Sequence, residues 1–168
     1  YDLAGDATEL VESARSTYAD ALRCDTEEII FTRNATESLN QVAQALRFTA
    51  DDDIVVTEYE HHSNLLPWQR AAEETGADLT VVPQDDVANI ADYVDHDTAA
   101  VAFTEMSNVT GRLINVEQVT EQIRSHGDAF IIVDGCQAYP HRPVNLDEAS
   151  VDAYAFSAHK HSGPTGVG

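Results

Sequence analysis

Short apolar runs, each followed by a segment with helical periodicity, constrain the fold of this chain more than any other feature. Residues 54–57, 79–82, 99–104 and 130–133 are apolar almost without interruption. Such runs are typical of strands that are buried on both faces, whereas a half-exposed strand alternates apolar and polar residues. Strands of this kind separated by helices predict an α/β domain, with a mostly parallel sheet and helices on both faces.

The two ends of the chain carry further apolar runs, and we expect strands there at residues 28–32 and 152–157. Apolar residues at steps of three and four predict the helices between the strands. These helices are expected at residues 1–22, 34–48, 67–75, 87–94 and 116–126.

Several residues predict where these helices begin and end. Asn34 is expected to cap the second helix, with Glu37 three residues later completing a capping box. Pro67 is expected to open the third helix, because proline is tolerated in the first turn. Asn115 and Gly127 are expected to begin and end the last helix.

Polar residues cluster directly after the predicted strands. In an open α/β sheet a ligand binds outside the carboxyl ends of the strands, so we expect these clusters to form one site. The five clusters are residues 34–36, 61–64, 107–110, 134–137 and 157–160.

Lys160 is the only lysine of the chain, and the other eight basic residues are arginines. Arginine cannot lose its proton to become a nucleophile, so the single lysine suggests a need for an amine. It follows the strand predicted at residues 152–157 and precedes a glycine-rich turn, where it is well placed to form a Schiff base. The alternative is a solvated surface lysine, the ordinary setting of this residue type.

Other cluster residues suit pyridoxal phosphate (PLP), which needs a Schiff-base lysine, an acidic partner for its pyridine nitrogen and an anion site. Asp134 can hold a heteroaromatic nitrogen protonated. His62 offers a flat ring for stacking. The candidate phosphate donors beside a helix amino end are Thr36, Ser157 and His159.

Competing interpretations remain for these clusters. A metal site could draw on five histidines, but His61 and His62 are adjacent on a strand end and point in opposite directions. The glycine-rich residues 163–168 lack the spacing of a phosphate-binding nucleotide loop. Residues 34–36 could be a plain helix cap rather than an anion site. The histidines of the metal alternative are His61, His62, His141, His159 and His161.

The composition limits the partners and the setting. The 168 residues suffice for one domain and carry a net charge of −21, with acidic residues spread along the whole chain. This charge argues against nucleic acid and anionic membranes as partners and suits a cytoplasm of high salt concentration. Two cysteines are too few for a disulfide framework, so Cys24 and Cys136 are predicted to be structural thiols of a cytoplasmic protein.

Five long motifs, in order along the chain, resemble the aminotransferase class V family of fold-type-I PLP enzymes. The resemblance is closest to the SUF-type cysteine desulfurases and the selenocysteine lyases. The motifs are residues 31–40, residues 58–69, residues 107–111, residues 133–138 with His141, and residues 156–168.

The resemblance implies a role for each matching residue. Lys160 would be the Schiff-base lysine and the base that moves the α-proton of the substrate. Asp134 would pair with the pyridinium nitrogen, His62 would stack on the ring, and Gln137 would bond its phenolic oxygen. Asn108 would lie beside the substrate carboxylate. The residues that would hold the phosphate are Ala35 (through its backbone), Thr36, Ser157 and His159.

The resemblance also implies an activity. Residues 1–168 would be the PLP-binding large domain, incomplete, of a homodimeric enzyme that converts L-cysteine to L-alanine and passes sulfur to an acceptor for iron–sulfur cluster assembly. The persulfide cysteine and the carboxylate-binding arginine are expected C-terminal to Gly168. Neither Cys24 nor Cys136 matches the persulfide cysteine. Another enzyme of the family (a selenocysteine lyase, an epimerase or an aminotransferase) and a non-catalytic remnant are the alternatives.

Overall fold

A five-stranded sheet lies at the centre of the computed structural model, which describes residues 2–168. The strands lie in the order β2-β1-β3-β4-β5, and all four pairings are parallel. The prediction of an α/β domain with a mostly parallel sheet is therefore confirmed. The strands are β1 (Asp53–Thr57), β2 (Asp78–Val82), β3 (Thr98–Thr104), β4 (Phe130–Asp134) and β5 (Ala153–Ala155).

Helices connect the strands. The α-helices are α1 (Asp2–Leu22), α2 (Ala35–Ala45), α3 (His62–Thr75), α4 (Val116–His126) and α5 (Leu146–Ala149). Three further segments form 3-10 helices, Thr26–Glu28, Gln84–Tyr93 and Ala158–His161.

Both faces of the sheet are covered by helices, as the uninterrupted apolar strands predict. On one face, α2 and α3 contribute the buried Leu39 and Trp68 to a core that contains Val56. On the other face, α4 contributes Ile123 to a core that contains Val55. Neighbouring residues of one strand thus enter different cores, which explains why neither can be polar.

The prediction of a strand at residues 28–32 is wrong. The chain there leaves the 3-10 helix Thr26–Glu28 and runs on without regular structure. A strand needs a continuous ladder of backbone hydrogen bonds. Within residues 2–168 this segment has one such partner: Thr32 and Gly168 exchange both backbone hydrogen bonds at 2.8 Å. Ile30 keeps 73% of its surface exposed.

Helix α3 begins at His62, so the prediction that Pro67 opens it is wrong. The His61 side chain caps the helix by accepting a hydrogen bond from the Ser63 backbone N–H. This cap adds five residues before Pro67, which is buried inside the helix. The sequence contained a signal for this earlier start, because the polar cluster at residues 61–64 includes the capping His61 and its partner Ser63.

Other element bounds differ from prediction by a few residues. Helix α2 ends at Ala45 rather than at residue 48, and residues 84–93 form a 3-10 helix that begins before the predicted residue 87. The short helix α5 was not predicted. Strand β5 ends at Ala155, so Lys160 lies in the 3-10 helix Ala158–His161 rather than at the tip of a strand.

The predicted helix caps are largely confirmed. Asn115 caps α4 by accepting from the Gln118 N–H, and Gly127 follows its last residue. Asn34 caps α2 by accepting from the Glu37 N–H at 2.9 Å. The reciprocal bond of the expected capping box is displaced by one residue, because the Glu37 carboxylate accepts from the backbone of Arg33.

Helix α1 covers the predicted first helix from Asp2, while Tyr1 lies outside the described residues. In the part of the chain that the structure describes, no helix has the length and apolar character needed to cross a membrane.

Candidate functional site

The carboxyl ends of the strands share one edge of the sheet, because all pairings are parallel. This carboxyl edge gathers the segments that follow β1, β3, β4 and β5, and with them four of the five predicted polar clusters. The fifth cluster, residues 34–36, does not follow a strand but begins α2 beside the segment after β5. The fold thus brings together Ala35 and Ser157, which are 122 positions apart in the chain.

Asp134 is the centre of this edge. It is the last residue of β4 and is only 3% exposed. The backbone N–H of Cys136 donates to its carboxylate at 2.9 Å. Burial raises the pKa of Asp134, and the charges of His61 and Lys160 act against that rise. The buried carboxylate is therefore within electrostatic reach of the single lysine.

Lys160 is exposed, and its backbone N–H donates to the Ser157 carbonyl at 3.1 Å. The next residue, His161, anchors this turn to α1 through a 3.0 Å hydrogen bond between its Nε2 and the Tyr18 hydroxyl. The His161 ring also meets the Tyr139 ring edge-on, with centroids 4.9 Å apart. Burial lowers the pKa of His161, which keeps the ring neutral.

His161 was considered above only as a metal ligand. The structure instead places it in an aromatic cluster with Tyr18, Tyr139 and Phe156. The sequence offers no local signal for this role, because Tyr18 and His161 are 143 positions apart.

The amino end of α2 lies against the segment that follows β5. The backbone N–H of Ala35 donates to the Ser157 hydroxyl at 2.8 Å, and this bond is buried. Gly168 fits closely beside this end, since a Cβ atom on it would lie 2.5 Å from the backbone of Asn34. Ala35, Thr36 and Ser157 thus meet at one helix amino end, where N–H groups and the helix dipole favour an anion.

The remaining predicted residues border this centre. His62 is the first residue of α3 and is exposed, with its ring centroid 6.4 Å from that of His61. Of the two histidines, His61 is the one whose charge acts on Asp134. Asn108 is exposed in the turn after β3, and Gln137 is half-buried after β4. His159 is exposed on the same turn as Lys160.

Two glutamates at this edge, the buried Glu105 and the half-buried Glu60, were not singled out from the sequence. Glu105 follows β3, accepts a 2.6 Å hydrogen bond from the Tyr154 hydroxyl and pairs with Arg142 at 3.3 Å. The Tyr154 ring fills the space over Gly135, where a Cβ atom would lie 2.1 Å from it. Glu60 follows β1, and its carboxyl group accepts hydrogen bonds from Thr57 of β1, Asn64 of α3 and Thr104 of β3. The signal for Glu60 was its place between a strand end and two histidines.

Cys24 and Cys136 are both free thiols and half-buried. Burial and the charge of Asp134 raise the pKa of Cys136 to about 12. Burial also raises the pKa of Cys24, together with the nearby Glu28. Neutral thiols are poor nucleophiles, so both side chains have the properties of packing residues.

Comparison with known proteins shows to which family this chain belongs. The sequence model of the class-V aminotransferases matches residues 1–168. A probable cysteine desulfurase of Mycobacterium leprae is 38% identical over the whole chain, which covers 29% of that protein.

Solved structures show the same fold. The apo structure of a cysteine desulfurase from Thermococcus onnurineus superimposes with a TM-score of 0.90 at 36% identity, covering 99% of this chain and 43% of that one. The structure of the protein C-DES with glycine covalently linked to its PLP cofactor gives 0.89 at 26% identity, covering 96% and 45%.

The chain thus spans less than half the length of these relatives. The family match nevertheless covers every motif quoted above and confirms the predicted resemblance. The parallel sheet has the buried Asp134 and the exposed Lys160 at its carboxyl edge. This chain belongs to the aminotransferase class-V family.

Proposed function

We propose that this chain is the cofactor-binding part of a PLP-dependent cysteine desulfurase. The observation that carries the proposal is the buried Asp134 carboxylate at the carboxyl edge, which the charge of the exposed Lys160 reaches without forming an ion pair with it among the described residues. A buried carboxylate that lacks a full counterion is suited to a cationic ring nitrogen. The relatives named as cysteine desulfurases and the PLP of C-DES support the same conclusion.

The residues present fit PLP at both of its ends. Asp134 would hold the pyridine nitrogen in its protonated form, and the amino end of α2 with Thr36, Ser157 and His159 would hold the phosphate. The Ala35 N–H now donates to the Ser157 hydroxyl and would be available to a phosphate oxygen if that hydroxyl rotated. When bound, PLP supplies the electron sink of the reaction.

Other residues of the chain would orient the substrate and move protons. The amine of Lys160 would bind the cofactor covalently and then carry the α-proton of the substrate. His62 would stack on the ring, Gln137 would bond the phenolic oxygen, and Asn108 would lie beside the substrate carboxylate. The residues that bury Asp134 would exclude water from this part of the site.

The activity of the whole protein follows from this assignment. We propose that it converts L-cysteine to L-alanine and transfers the sulfur through a persulfide to an acceptor protein of iron–sulfur cluster assembly. The persulfide cysteine would lie outside residues 1–168, because Cys24 and Cys136 are packing thiols. A homodimer in a salt-rich cytoplasm fits the acidic composition and the family resemblance.

The test uses the longest gene product that contains this chain, loaded with PLP. The wild-type protein is expected to show a visible absorption band and to form alanine from cysteine. Lys160→Ala is expected to lose both, and Lys160→Arg is the matched control that keeps the charge but has no nucleophilic amine. A band that persists in Lys160→Ala contradicts the assignment. Faster turnover of selenocysteine than of cysteine would favour a selenocysteine lyase.

A further inference from the structure

Glu60 joins three elements at the carboxyl edge. Its Oε1 accepts from the Thr57 hydroxyl at 2.6 Å and from the backbone N–H of Thr104 at 2.8 Å. Its Oε2 accepts from the side-chain amide of Asn64 at 2.5 Å. These partners come from the end of β1, the end of β3 and the first turn of α3, so one carboxyl group ties the His61–His62 turn to the sheet.

The network continues into the core through Asn64, which is fully buried. Its Oδ1 accepts from the indole N–H of Trp68 at 3.0 Å, and Trp68 is also fully buried. Because an indole N–H can only donate, it fixes which way the Asn64 amide points. The Nδ2 of Asn64 must therefore face Glu60.

A carboxyl group satisfies these neighbours in either protonation state. The Thr57 hydroxyl can donate to an ionised Glu60 or accept from a protonated one, while Asn64 and Thr104 donate in both cases. An amide at this position would set an N–H₂ group against the Thr104 N–H or the Asn64 Nδ2. Burial and the charge of Asp134 raise the pKa of Glu60 to about 8, and its three hydrogen-bond donors oppose that rise.

We propose that Glu60 is a positioning residue that fixes the turn carrying His62 and thereby places the His62 ring against the bound cofactor. The inference rests on the proposed function. The hydrogen bonds of the Glu60 carboxyl group all go to Thr57, Asn64 and Thr104, so Glu60 acts through the turn that carries His62. Disrupting it is expected to weaken PLP binding only as long as the His62 ring is present.

A double-mutant cycle in the complete protein tests this coupling. The dissociation constant of PLP is measured for the wild type, Glu60→Gln, His62→Ala and the double variant. Glu60→Gln is expected to raise the constant about tenfold in the wild-type background. In the His62→Ala background it is expected to change the constant less than about twofold. Equal effects in both backgrounds would overturn the inference.

Glu105→Gln is the matched control, because Glu105 is a buried, hydrogen-bonded glutamate of the same edge without a contact to the His61–His62 turn among the described residues. Its effect on PLP affinity is expected to be the same with and without His62. If Glu60→Gln does not fold, Thr57→Val replaces it in the same cycle. This substitution keeps the shape of the buried side chain and removes the hydroxyl that donates to Glu60, so a smaller change in the dissociation constant is expected.

Trp68 provides a readout in the protein without cofactor, since its indole belongs to the network. Its emission, isolated by subtracting the spectrum of Trp68→Phe, is expected to shift in Glu60→Gln and to stay unchanged in Glu105→Gln. Unchanged emission in Glu60→Gln would overturn the network. Absence of a Lys160-dependent band in the wild type would instead overturn the proposed function, and with it the role of Glu60 toward the cofactor.

Discussion

The two edges of the parallel sheet use acidic residues in opposite ways. At the amino edge, aspartates precede or begin the strands and cap nearby backbone groups in contact with water. Asp52 accepts from the Thr49 N–H, Asp95 from the Asp97 N–H, and Asp152 from the Ile131 N–H. At the carboxyl edge, Asp134 and Glu105 are 3% exposed, and the half-buried Glu60 has both carboxyl oxygens bound by hydrogen-bond donors.

This difference separates acids that are in contact with water from acids that are desolvated. Desolvation raises the pKa of Asp134, Glu105 and Glu60, so burial of these carboxylates costs folding free energy. At the amino edge the half-buried Asp53 shares this property, because burial raises its pKa while a hydrogen bond from Thr80 opposes the rise. A fold keeps several buried acids at one edge when that edge needs their charge or their hydrogen bonds.

The largest expected effect is the pH dependence of stability contributed by Glu60. Its folded-state pKa of about 8 lies above the usual value of 4.5, so between these values the folded state holds a proton that the unfolded state has lost. The free energy of unfolding should therefore fall as pH rises through this window, by roughly 5 kcal/mol at most.

Urea unfolding of the cofactor-free protein between pH 5 and pH 8.5 measures this slope, with pH limits chosen to span roughly the window set by the two pKa values. The difference between the wild type and Glu60→Gln isolates Glu60 from the other titrating groups. A pH-independent difference for Glu60→Gln would show that the carboxyl group is not desolvated.

Gly135→Ala is expected to have the next largest effect. A Cβ atom here would meet the Tyr154 ring at 2.1 Å, and that ring is held in place by Glu105. Overpacking of this kind should lower the free energy of unfolding by about 3 kcal/mol.

The matched substitution is Gly5→Ala in α1, where an added Cβ atom meets nothing within 4 Å. It should raise the helix stability by about 0.5–1 kcal/mol. Thermal unfolding of both variants compares them, and equal midpoints would contradict the close packing at the carboxyl edge.

The smallest expected effects come from replacing one aspartate at each edge, and the two replacements should change the free energy of unfolding in opposite directions. Asp134→Asn should stabilise the cofactor-free protein by about 1 kcal/mol, because it removes a desolvated charge and keeps an acceptor for the Cys136 N–H. Asp152→Asn should destabilise it by about 1 kcal/mol, because it weakens the pair with Arg124. Denaturant unfolding at pH 7.5 measures both, and the same sign for both variants would remove the contrast between the edges.

Much of the fold could be predicted because local signals and the final environment agree. The four inner apolar runs all form strands, and Asn115 and Gly127 bound α4 as expected. The errors occur where a distant partner decides the outcome. Residues 28–32 have strand composition, but within the described chain only Thr32 finds a backbone partner, in Gly168.

The candidate site shows the same division. Lys160, Asp134 and the residues at the amino end of α2 could be predicted because their chemistry is visible in the residue type and in their place after a strand or before a helix. Glu60, Glu105 and His161 were missed, because their roles depend on contacts with Thr104, Tyr154 and Tyr18. Residue type alone does not indicate that a glutamate will be buried.

By itself the sequence determined the order of the four inner strands and the identity of the chemical groups, because these follow from apolar periodicity and from residue type, and its motifs indicated the family. The tertiary structure alone decided which acids lose their water. Parallel pairing places Asp134, Glu60 and Glu105 together at one edge, where Asp134 and Glu105 are buried and the half-buried Glu60 has its carboxyl group bound by three donors. The capping residues Asp52, Asp95 and Asp152 of the other edge are half-buried or exposed, and this difference in contact with water is the physical difference between the two edges.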